Sequence, residues 1–319
     1  MADRIERKDV TIWSEGTRLA GEVFRPAGVT APGPAILFCH GWGGVKSHLI
    51  PRYAEAFATA GYISLFFDYR GWGESDGKLI AAPGAPPLTK AGVQTLPVRV
   101  IRQVVDPLDE IADIRACLAW LLTEEGVDPA RVGLWGSSYG GGLTTFVTAT
   151  EPRVKALVAQ IGSYGHSAKP DFQGWAYKQA ADKARALIEP PIPQPTGEPR
   201  PGLQGVGDMA RQYGYAPARE AENIRVPTLF IDAEHEEYYA DEPQLQGGSV
   251  FETVRKNAVA ERVTFPGTHY TLYDQFLEPA RARAIAWFDA HLQGHDARGS
   301  AKRSFSREGE GTTPPPPPR

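Results

Sequence analysis

The sequence is poor in cysteine and contains no long apolar run. Cys39 and Cys117 are the two cysteines among 319 residues, and each lies in an apolar segment, which predicts buried thiols instead of a disulfide framework. The charged N-terminal sequence MADRIERKDV lacks the apolar core of a signal peptide. No stretch of about 18 apolar residues is present to span a bilayer. These absences favour a cytoplasmic protein that makes no membrane contact.

The sequence also lacks the charge pattern of a nucleic-acid-binding protein and the motifs of common cofactor sites. Its net charge is −4, and no run of Lys and Arg alternates with aromatic residues. The segment GVKS at 44–47 breaks the P-loop pattern, and a dinucleotide-binding motif would need glycine in place of Lys46. No His-Glu-x-x-His or paired Cys-x-x-Cys sequence occurs. We therefore expect no nucleic-acid partner, no metal and no cofactor, and the sequence leaves the oligomeric state open.

Short apolar runs alternate with helix-compatible segments through most of the chain. The runs at 35–39, 63–67 and 132–135 each end at a turn that contains glycine. Two further short apolar runs follow at 226–231 and 262–265. This alternation predicts βαβ units, and therefore an α/β fold built on a mostly parallel sheet.

Two Asp-Pro pairs are typical of helix starts. Asp106 is a predicted N-cap, and Pro107 suits the first helical position because its missing N–H would have no helical partner there. Asp128-Pro129 repeats the pattern and predicts one short helical turn.

Three stretches depart from the alternation of strands and helices. Residues 78–105 are rich in proline and glycine at first and show no period, which predicts an extra loop. Residues 163–222 contain a cluster of prolines between helical pieces, and their length predicts an inserted cap over the active face. Residues 298–319, with five consecutive prolines, are predicted to be a disordered tail. The rest of the chain, within 1–297, forms one predicted domain that carries both insertions.

The pentapeptide GSSYG at 136–140 matches the G-x-S-x-G pattern of a nucleophilic serine. It stands directly between an apolar run and a helix-compatible segment, where a sharp strand-to-helix turn needs small neighbours. Such a turn exposes the central hydroxyl at a helix N-terminus, whose main-chain N–H groups can stabilise a developing oxyanion. Ser138 is the predicted nucleophile, and Ser137 is interpreted as structural because the two glycines flank Ser138.

A serine hydroxyl needs a base, and in this kind of fold the acid and the base both follow the nucleophile along the chain. His269 follows the predicted strand at 262–265 through a Pro-Gly-Thr loop, at the strand end where ligand sites of parallel sheets collect. It is the predicted base. The other histidines after Ser138 fit less well. His291 lies in the predicted last helix and His295 lies in the tail. His166 and His235 come before or at the acid.

The carboxylate that orients the base is expected after the predicted strand at 226–231. Five carboxylates lie between residues 232 and 241. A side chain a few residues beyond the strand has the required reach, which favours Glu236. The spacing leaves three alternatives open: Glu237, Glu234 and Asp232.

The sequence HGWGG at 40–44 follows the predicted strand at 35–39. Small residues at that position let main-chain N–H groups approach a reacting oxygen. We predict that the main-chain N–H groups of Trp42 and Tyr139 form the oxyanion hole.

Taken in order, these motifs resemble the α/β-hydrolase superfamily, and more narrowly its dienelactone-hydrolase-like and acyl-esterase-like members. Residues 68–75 resemble the family's D-x-R-G-x-G-x-S stretch, and residues 227–237 resemble its P-T-L-x-I strand with the acid four or five residues on. The resemblance spans residues 10–295. It implies an eight-stranded, mostly parallel sheet and a triad of Ser138, Glu236 and His269, with glutamate where the family often has aspartate.

A small-molecule ester or lactone of moderate size is the expected substrate, cleaved through an acyl-enzyme on Ser138. The predicted cap is rich in aromatic side chains, which suggests an apolar acyl or aromatic group: Phe172, Trp175, Tyr177, Tyr213 and Tyr215. Two other functions stay open. One is a thioesterase or acyltransferase that uses the same triad, and the other is a non-catalytic ligand-binding protein on this fold.

Overall fold

The computed structural model describes residues 5–167, 169–188 and 203–293. Its strands are β1 (Ile5–Ser14), β2 (Thr17–Pro26), β3 (Gly33–Cys39), β4 (Ile63–Phe67), β5 (Lys78–Ala81), β6 (Val98–Ile101), β7 (Val104–Val105), β8 (Val127–Ser137), β9 (Ala156–Gln160), β10 (Val206–Gly207), β11 (Thr228–His235) and β12 (Ala260–Thr268). Its α-helices are α1 (Lys46–Thr59), α2 (Pro107–Leu121), α3 (Tyr139–Thr150), α4 (Pro170–Ala184), α5 (Met209–Gln212), α6 (Pro217–Glu220), α7 (Gly247–Val254) and α8 (Leu277–Leu292).

The main sheet has eight strands in the order β1-β2-β4-β3-β8-β9-β11-β12. The β1–β2 hairpin and the β2–β4 pair are antiparallel, whereas the other neighbouring strands run parallel. The α/β fold with a mostly parallel, eight-stranded sheet is therefore confirmed. In this arrangement the carboxyl ends of the parallel strands meet at one edge of the sheet, where ligand sites form.

Helices cover both faces of the sheet, which explains why its central strands contain continuous apolar runs. Helices α2 and α3 pack on one face, and α1 and α8 pack on the other. Leu37 and Phe38 are adjacent in β3 and enter opposite clusters, because successive side chains of a strand point to opposite faces. Phe38 stacks on Phe66, with 4.4 Å between ring centroids, and contacts Trp135 at 5.3 Å.

The two Asp-Pro pairs behave differently. The Asp106 carboxylate accepts hydrogen bonds from Leu108 N and Asp109 N at the start of α2, so the predicted N-cap is confirmed. The Asp128 carboxylate also accepts a bond from a main-chain N–H two residues on, but the predicted helical turn is wrong. The chain there belongs to β8, which pairs with β3 on both sides of an irregularity. The pairing with β3 overrides the local capping signal.

The two predicted insertions contain short regular elements. In the first, over 78–105, β5 pairs with β6 in an antiparallel ribbon, so this stretch is not a plain loop throughout. In the second, over 163–222, α4, α5 and α6 follow one another, and β10 pairs with β7 of the first insertion. The proline cluster at 190–201 and the predicted disordered tail at 298–319 lie outside the described residues.

Both cysteines are buried and free, one in β3 and one in α2, which confirms the prediction of buried thiols. Burial raises the pKa of both the Cys39 and the Cys117 thiol. Within the described part of the chain, no helix has both the length and the apolar character needed to cross a membrane. The cytoplasmic location stays a prediction.

Candidate active site

Ser138 lies at the junction of β8 and α3 in a strained backbone conformation, with φ of 57° and ψ of −127°. Positive φ is unusual for a residue that carries a side chain, and it persists where surrounding hydrogen bonds hold it. Here Ser138 N donates to Gln160 O at 2.9 Å, and Ser138 O accepts from Gly141 N at 2.9 Å and from Ser163 N at 3.1 Å. Main-chain bonds to β9 and to the loop after it therefore fix the turn.

The two glycines of the pentapeptide allow three backbone segments to approach closely. A Cβ at Gly136 would lie 2.3 Å from Gly140 O, and a Cβ at Gly140 would lie 2.4 Å from His40 O and 2.5 Å from Cys39 O. All three distances are too short for any side chain. The motif thus packs the start of α3 directly against the end of β3.

His269 approaches Ser138 from the end of β12, an edge strand of the sheet. It begins the short 3-10 helix His269–Tyr273 directly after β12, and its Nε2 lies 3.0 Å from Ser138 Oγ. Its Nδ1 lies 2.6 Å from Glu236 Oε2. The three predicted side chains are therefore brought together although β9 and β11 separate β8 from β12. An imidazole held in this way can accept the serine proton while the carboxylate stabilises the resulting cation.

The carboxylates that the sequence left as alternatives have separate partners. Glu236 contacts the imidazole with Oε2, and its Oε1 accepts a hydrogen bond from Tyr238 N at 3.0 Å. Glu237 accepts from the main-chain N of His269 at 2.9 Å. Asp232 pairs with Arg262, and Glu234 is exposed. Two consecutive glutamates thus hold one histidine, the first by its ring and the second by its backbone.

The other described histidines that follow Ser138 in the sequence differ from His269 in their surroundings. The ring nitrogens of His166 contact the main-chain carbonyls of Ser167 and Tyr213. His291 packs on Trp287, with 4.2 Å between ring centroids. His235 is exposed at the end of β11, and His295 lies outside the described residues.

The turn at 40–44 packs directly on the strand-to-helix turn at 136–140 that carries Ser138 (the elbow). A Cβ at Gly41 would lie 2.8 Å from Ser138 Cβ and 3.3 Å from Ser138 Oγ, so this backbone lies against the hydroxyl. The rings of Trp42 and Tyr139 meet edge to face, with 5.4 Å between centroids. Among the described residues, the main-chain N–H groups of Trp42 and Tyr139 have no hydrogen-bond acceptor, so both can serve a ligand.

His40 opens this turn and is almost fully buried. Burial lowers its pKa to about 4, so the imidazole is neutral near neutral pH. Its Nδ1 lies 3.1 Å from Gly41 O, which suits the tautomer with the proton on Nδ1. The ring meets the Tyr69 ring edge to face at 4.5 Å. A neutral histidine therefore supports the backbone that faces Ser138.

Part of the second insertion rests on this turn. A Cβ at Gly43 would lie 2.7 Å from Gln204 O, and one at Gly207 would lie 2.6 Å from the Trp42 indole and 2.7 Å from the Met209 methyl. These contacts bring residues 204–209 against the predicted oxyanion side of the site.

The aromatic residues of the predicted cap divide between core and surface. Tyr215 is buried beside Tyr139, with 5.7 Å between ring centroids. Trp175 and Tyr177 on α4 are about half exposed, at 48% and 56%. Phe172 and Tyr213 stack on His166. Of these five aromatic side chains, Tyr215 is the one with a ring contact to the elbow.

One contact near Ser138 has no counterpart in the sequence motifs. Tyr273 OH lies 2.7 Å from Ser137 Oγ, which joins the histidine segment to the residue before the nucleophile. These residues are 136 positions apart and belong to no recognisable pattern, so the sequence carried no signal for their contact.

Comparisons with known proteins identify a matching family. The profile of the X-Pro dipeptidyl-peptidase (S15) family matches residues 15–185, which is more than half of the chain. This stretch includes the turn at 40–44 and Ser138, whereas Glu236 and His269 lie beyond it.

Two curated relatives extend the likeness along the chain. An Escherichia coli protein described as "Uncharacterized 31.7 kDa protein in traX-finO intergenic region" is 26% identical over 287 residues, which cover 81% of this chain and 91% of the relative. Thiohydrolase aneE of Aspergillus aculeatus is 28% identical over 200 residues, which cover 61% of this chain and 55% of the relative.

Solved structures share the fold at low sequence identity. The α/β-hydrolase GrgF from a Penicillium species superposes with a TM-score of 0.68 at 18% identity, over 90% of this chain and 99% of that one. A putative dienelactone hydrolase from Klebsiella pneumoniae gives 0.56 at 17% identity, over 90% and 99%. The predicted resemblance to α/β-hydrolases of the dienelactone-hydrolase and esterase type is confirmed.

We predict that Gly136→Ala will lower the free energy of unfolding by about 3 kcal/mol or more, because its methyl group would overlap a main-chain carbonyl. Gly174 is the matched control, since a Cβ there meets nothing within 4 Å and the residue lies inside α4. Gly174→Ala should raise stability by roughly 0.5–1 kcal/mol. Urea denaturation of both variants measures the difference, and equal stabilities would contradict the packing described above.

We also predict that His40 makes stability depend on pH. Its folded pKa of about 4 lies below the ordinary histidine value of 6.5, so protons bind the unfolded state more tightly. The stabilisation is complete above pH 6.5 and is lost progressively as the pH falls toward 4, by at most roughly 3 kcal/mol. Urea midpoints across this range should fall less steeply in His40→Gln than in the wild type. Equal slopes would contradict a buried neutral His40.

Proposed function

The chain belongs to the X-Pro dipeptidyl-peptidase (S15) family of α/β-hydrolases, and we propose that it cleaves a carboxylic ester or lactone through an acyl-enzyme on Ser138. Family membership makes it a hydrolytic enzyme. The observation that carries the proposal is the series of two hydrogen-bond contacts from Ser138 Oγ through His269 to Glu236.

In the proposed reaction, His269 Nε2 takes the Ser138 proton as Oγ attacks the carbonyl carbon of the substrate. Glu236 stabilises the imidazolium through its contact with Nδ1. The tetrahedral intermediate then collapses, and His269 gives the proton to the leaving alkoxide. Water repeats the sequence in the second half, with His269 again as base, and releases the acid and the free serine.

The negative oxygen of the tetrahedral intermediate would bind the main-chain N–H groups of Trp42 and Tyr139. The closeness of the Gly41 backbone to Ser138 Oγ supports this role for the first group, and the position of Tyr139 at the N-terminus of α3 supports it for the second. Each such donor is typically worth about 3 kcal/mol of barrier.

Thioester hydrolysis is a second candidate, because a relative with 28% identity is named a thiohydrolase. Both reactions use the same acyl-enzyme and differ in the leaving atom. Turnover of an oxoester and a thioester with the same acyl chain separates them. Trapping of the acyl group by added alcohol, in competition with water, would reveal acyl transfer instead.

We expect wild-type protein to hydrolyse p-nitrophenyl esters and to react with a fluorophosphonate probe at Ser138. Ser138→Ala should lower kcat by about 10⁴-fold or more, because neither the base nor the acid can act without the nucleophile. Mass spectrometry locates the modified residue, and circular dichroism checks the fold of the variant. A correctly folded wild type that is neither active nor labelled would favour a ligand-binding protein and would contradict the proposal.

The two glutamates give a sharper test of the acid. Glu236→Gln should lower kcat by about 10³- to 10⁴-fold, because an amide cannot stabilise the imidazolium. Glu237→Gln keeps a carbonyl oxygen that can accept from His269 N, so its kcat should stay within about tenfold of the wild type. Steady-state kinetics of both variants decide the assignment. A larger loss in Glu237→Gln than in Glu236→Gln would reverse it.

A further inference from the structure

The histidine segment and the nucleophile elbow are joined at a second point, away from the reacting atoms. Ser137 Oγ and Tyr273 OH lie 2.7 Å apart. Ser137 directly precedes the nucleophile at the end of β8, and Tyr273 ends the 3-10 helix that His269 begins. One hydrogen bond between two hydroxyls therefore links the neighbours of both reacting side chains.

The Ser137 side of this contact is fixed by β9. Ser137 is 1% exposed, and its Oγ also accepts a hydrogen bond from Gln160 Nε2 at 3.3 Å. The main-chain oxygen of the same Gln160 accepts from Ser138 N. Gln160 thus bonds to both the Ser137 hydroxyl and the Ser138 main chain and fixes their relative position.

The Tyr273 side of the contact is anchored as well. The carbonyl of Tyr273 accepts a hydrogen bond from Arg52 Nε at 3.4 Å, and its ring lies 6.1 Å from the His269 ring, centroid to centroid. Desolvation raises the pKa of Tyr273 above its ordinary value. The phenol therefore stays protonated and can serve as a hydrogen-bond partner over the whole working range of a hydrolase.

The sheet order explains why such a link matters. Between β8 and β12 lie β9 and β11, so the two strand ends are about 14 Å apart at the usual spacing of neighbouring strands. His269 must bridge this distance and still place Nε2 at 3.0 Å from Ser138 Oγ. A displacement of 1 Å at a reacting centre lowers rates by about 100-fold. A hydrogen bond between the elbow and the histidine segment would suppress such displacements.

We propose that Tyr273 is a positioning residue whose hydroxyl, through Ser137, holds the His269 imidazole at hydrogen-bonding distance from Ser138. The inference rests on the proposed function of Ser138 and His269. It assigns roles to two residues outside the proposed triad and oxyanion hole.

A double-mutant cycle tests this role. Tyr273→Phe and Ser137→Ala should each lower kcat by about tenfold or more. KM should stay unchanged within about twofold, because substrate binding does not use the hydrogen bond between the two hydroxyls. The double variant should be no slower than the worse single variant, since either substitution breaks the same bond. The rate of fluorophosphonate labelling should fall in parallel with kcat.

Tyr62→Phe is the matched control, because Tyr62, directly before β4, donates a hydrogen bond from its hydroxyl to Asp289 Oδ1 of α8 at 2.7 Å. It removes a hydrogen-bonded tyrosine hydroxyl whose partner lies on α8 and not on the elbow, and it should leave kcat within about twofold. Losses in the cycle that multiply, or unchanged kcat in Tyr273→Phe, would overturn the positioning role alone. A wild type that is not labelled at Ser138 would overturn the proposed function and this inference together.

Discussion

A base carried by an outer strand must meet a nucleophile three strands away, and much of the local structure depends on that contact. His269 Nε2 lies 3.0 Å from Ser138 Oγ although β9 and β11 run between their strands. Three kinds of contact support it. Glu236 holds the ring, Glu237 holds the histidine backbone, and Tyr273 joins the segment to the elbow. The contact between His269 and Ser138 thus crosses two intervening strands, and three other side chains stabilise it.

The parts of the protein that depend on local chemistry could be predicted from the sequence. A G-x-S-x-G turn between an apolar run and a helix, and an Asp-Pro helix start at Asp106, need only neighbouring residues, so they can be read directly. The order of nucleophile, acid and base along the chain of an α/β-hydrolase then restricts where partners of Ser138 can lie. That order, together with the position of each residue after a predicted strand, favoured His269 and Glu236, which the structure brings together with Ser138. Their catalytic roles stay predictions.

The parts that depend on distant contacts could not be predicted. Glu236 and Glu237 are adjacent and chemically alike, and only the approach of the His269 loop gives one the ring and the other the backbone. The ribbon within 78–105 has four residues in each strand, too few for a period to show. The turn expected at Asp128 was replaced by pairing with β3. In each case contacts with distant segments decided the outcome, which the local sequence alone did not determine.

The left-handed backbone of Ser138 has a consequence for how such proteins diverge. A side chain at φ of 57° costs about 1–3 kcal/mol that glycine would not. A descendant that no longer used the hydroxyl would therefore gain stability by replacing this serine with glycine, while its sheet, helices and cap stayed intact. Glycine at this position in a relative would therefore indicate a scaffold that is kept without the nucleophile.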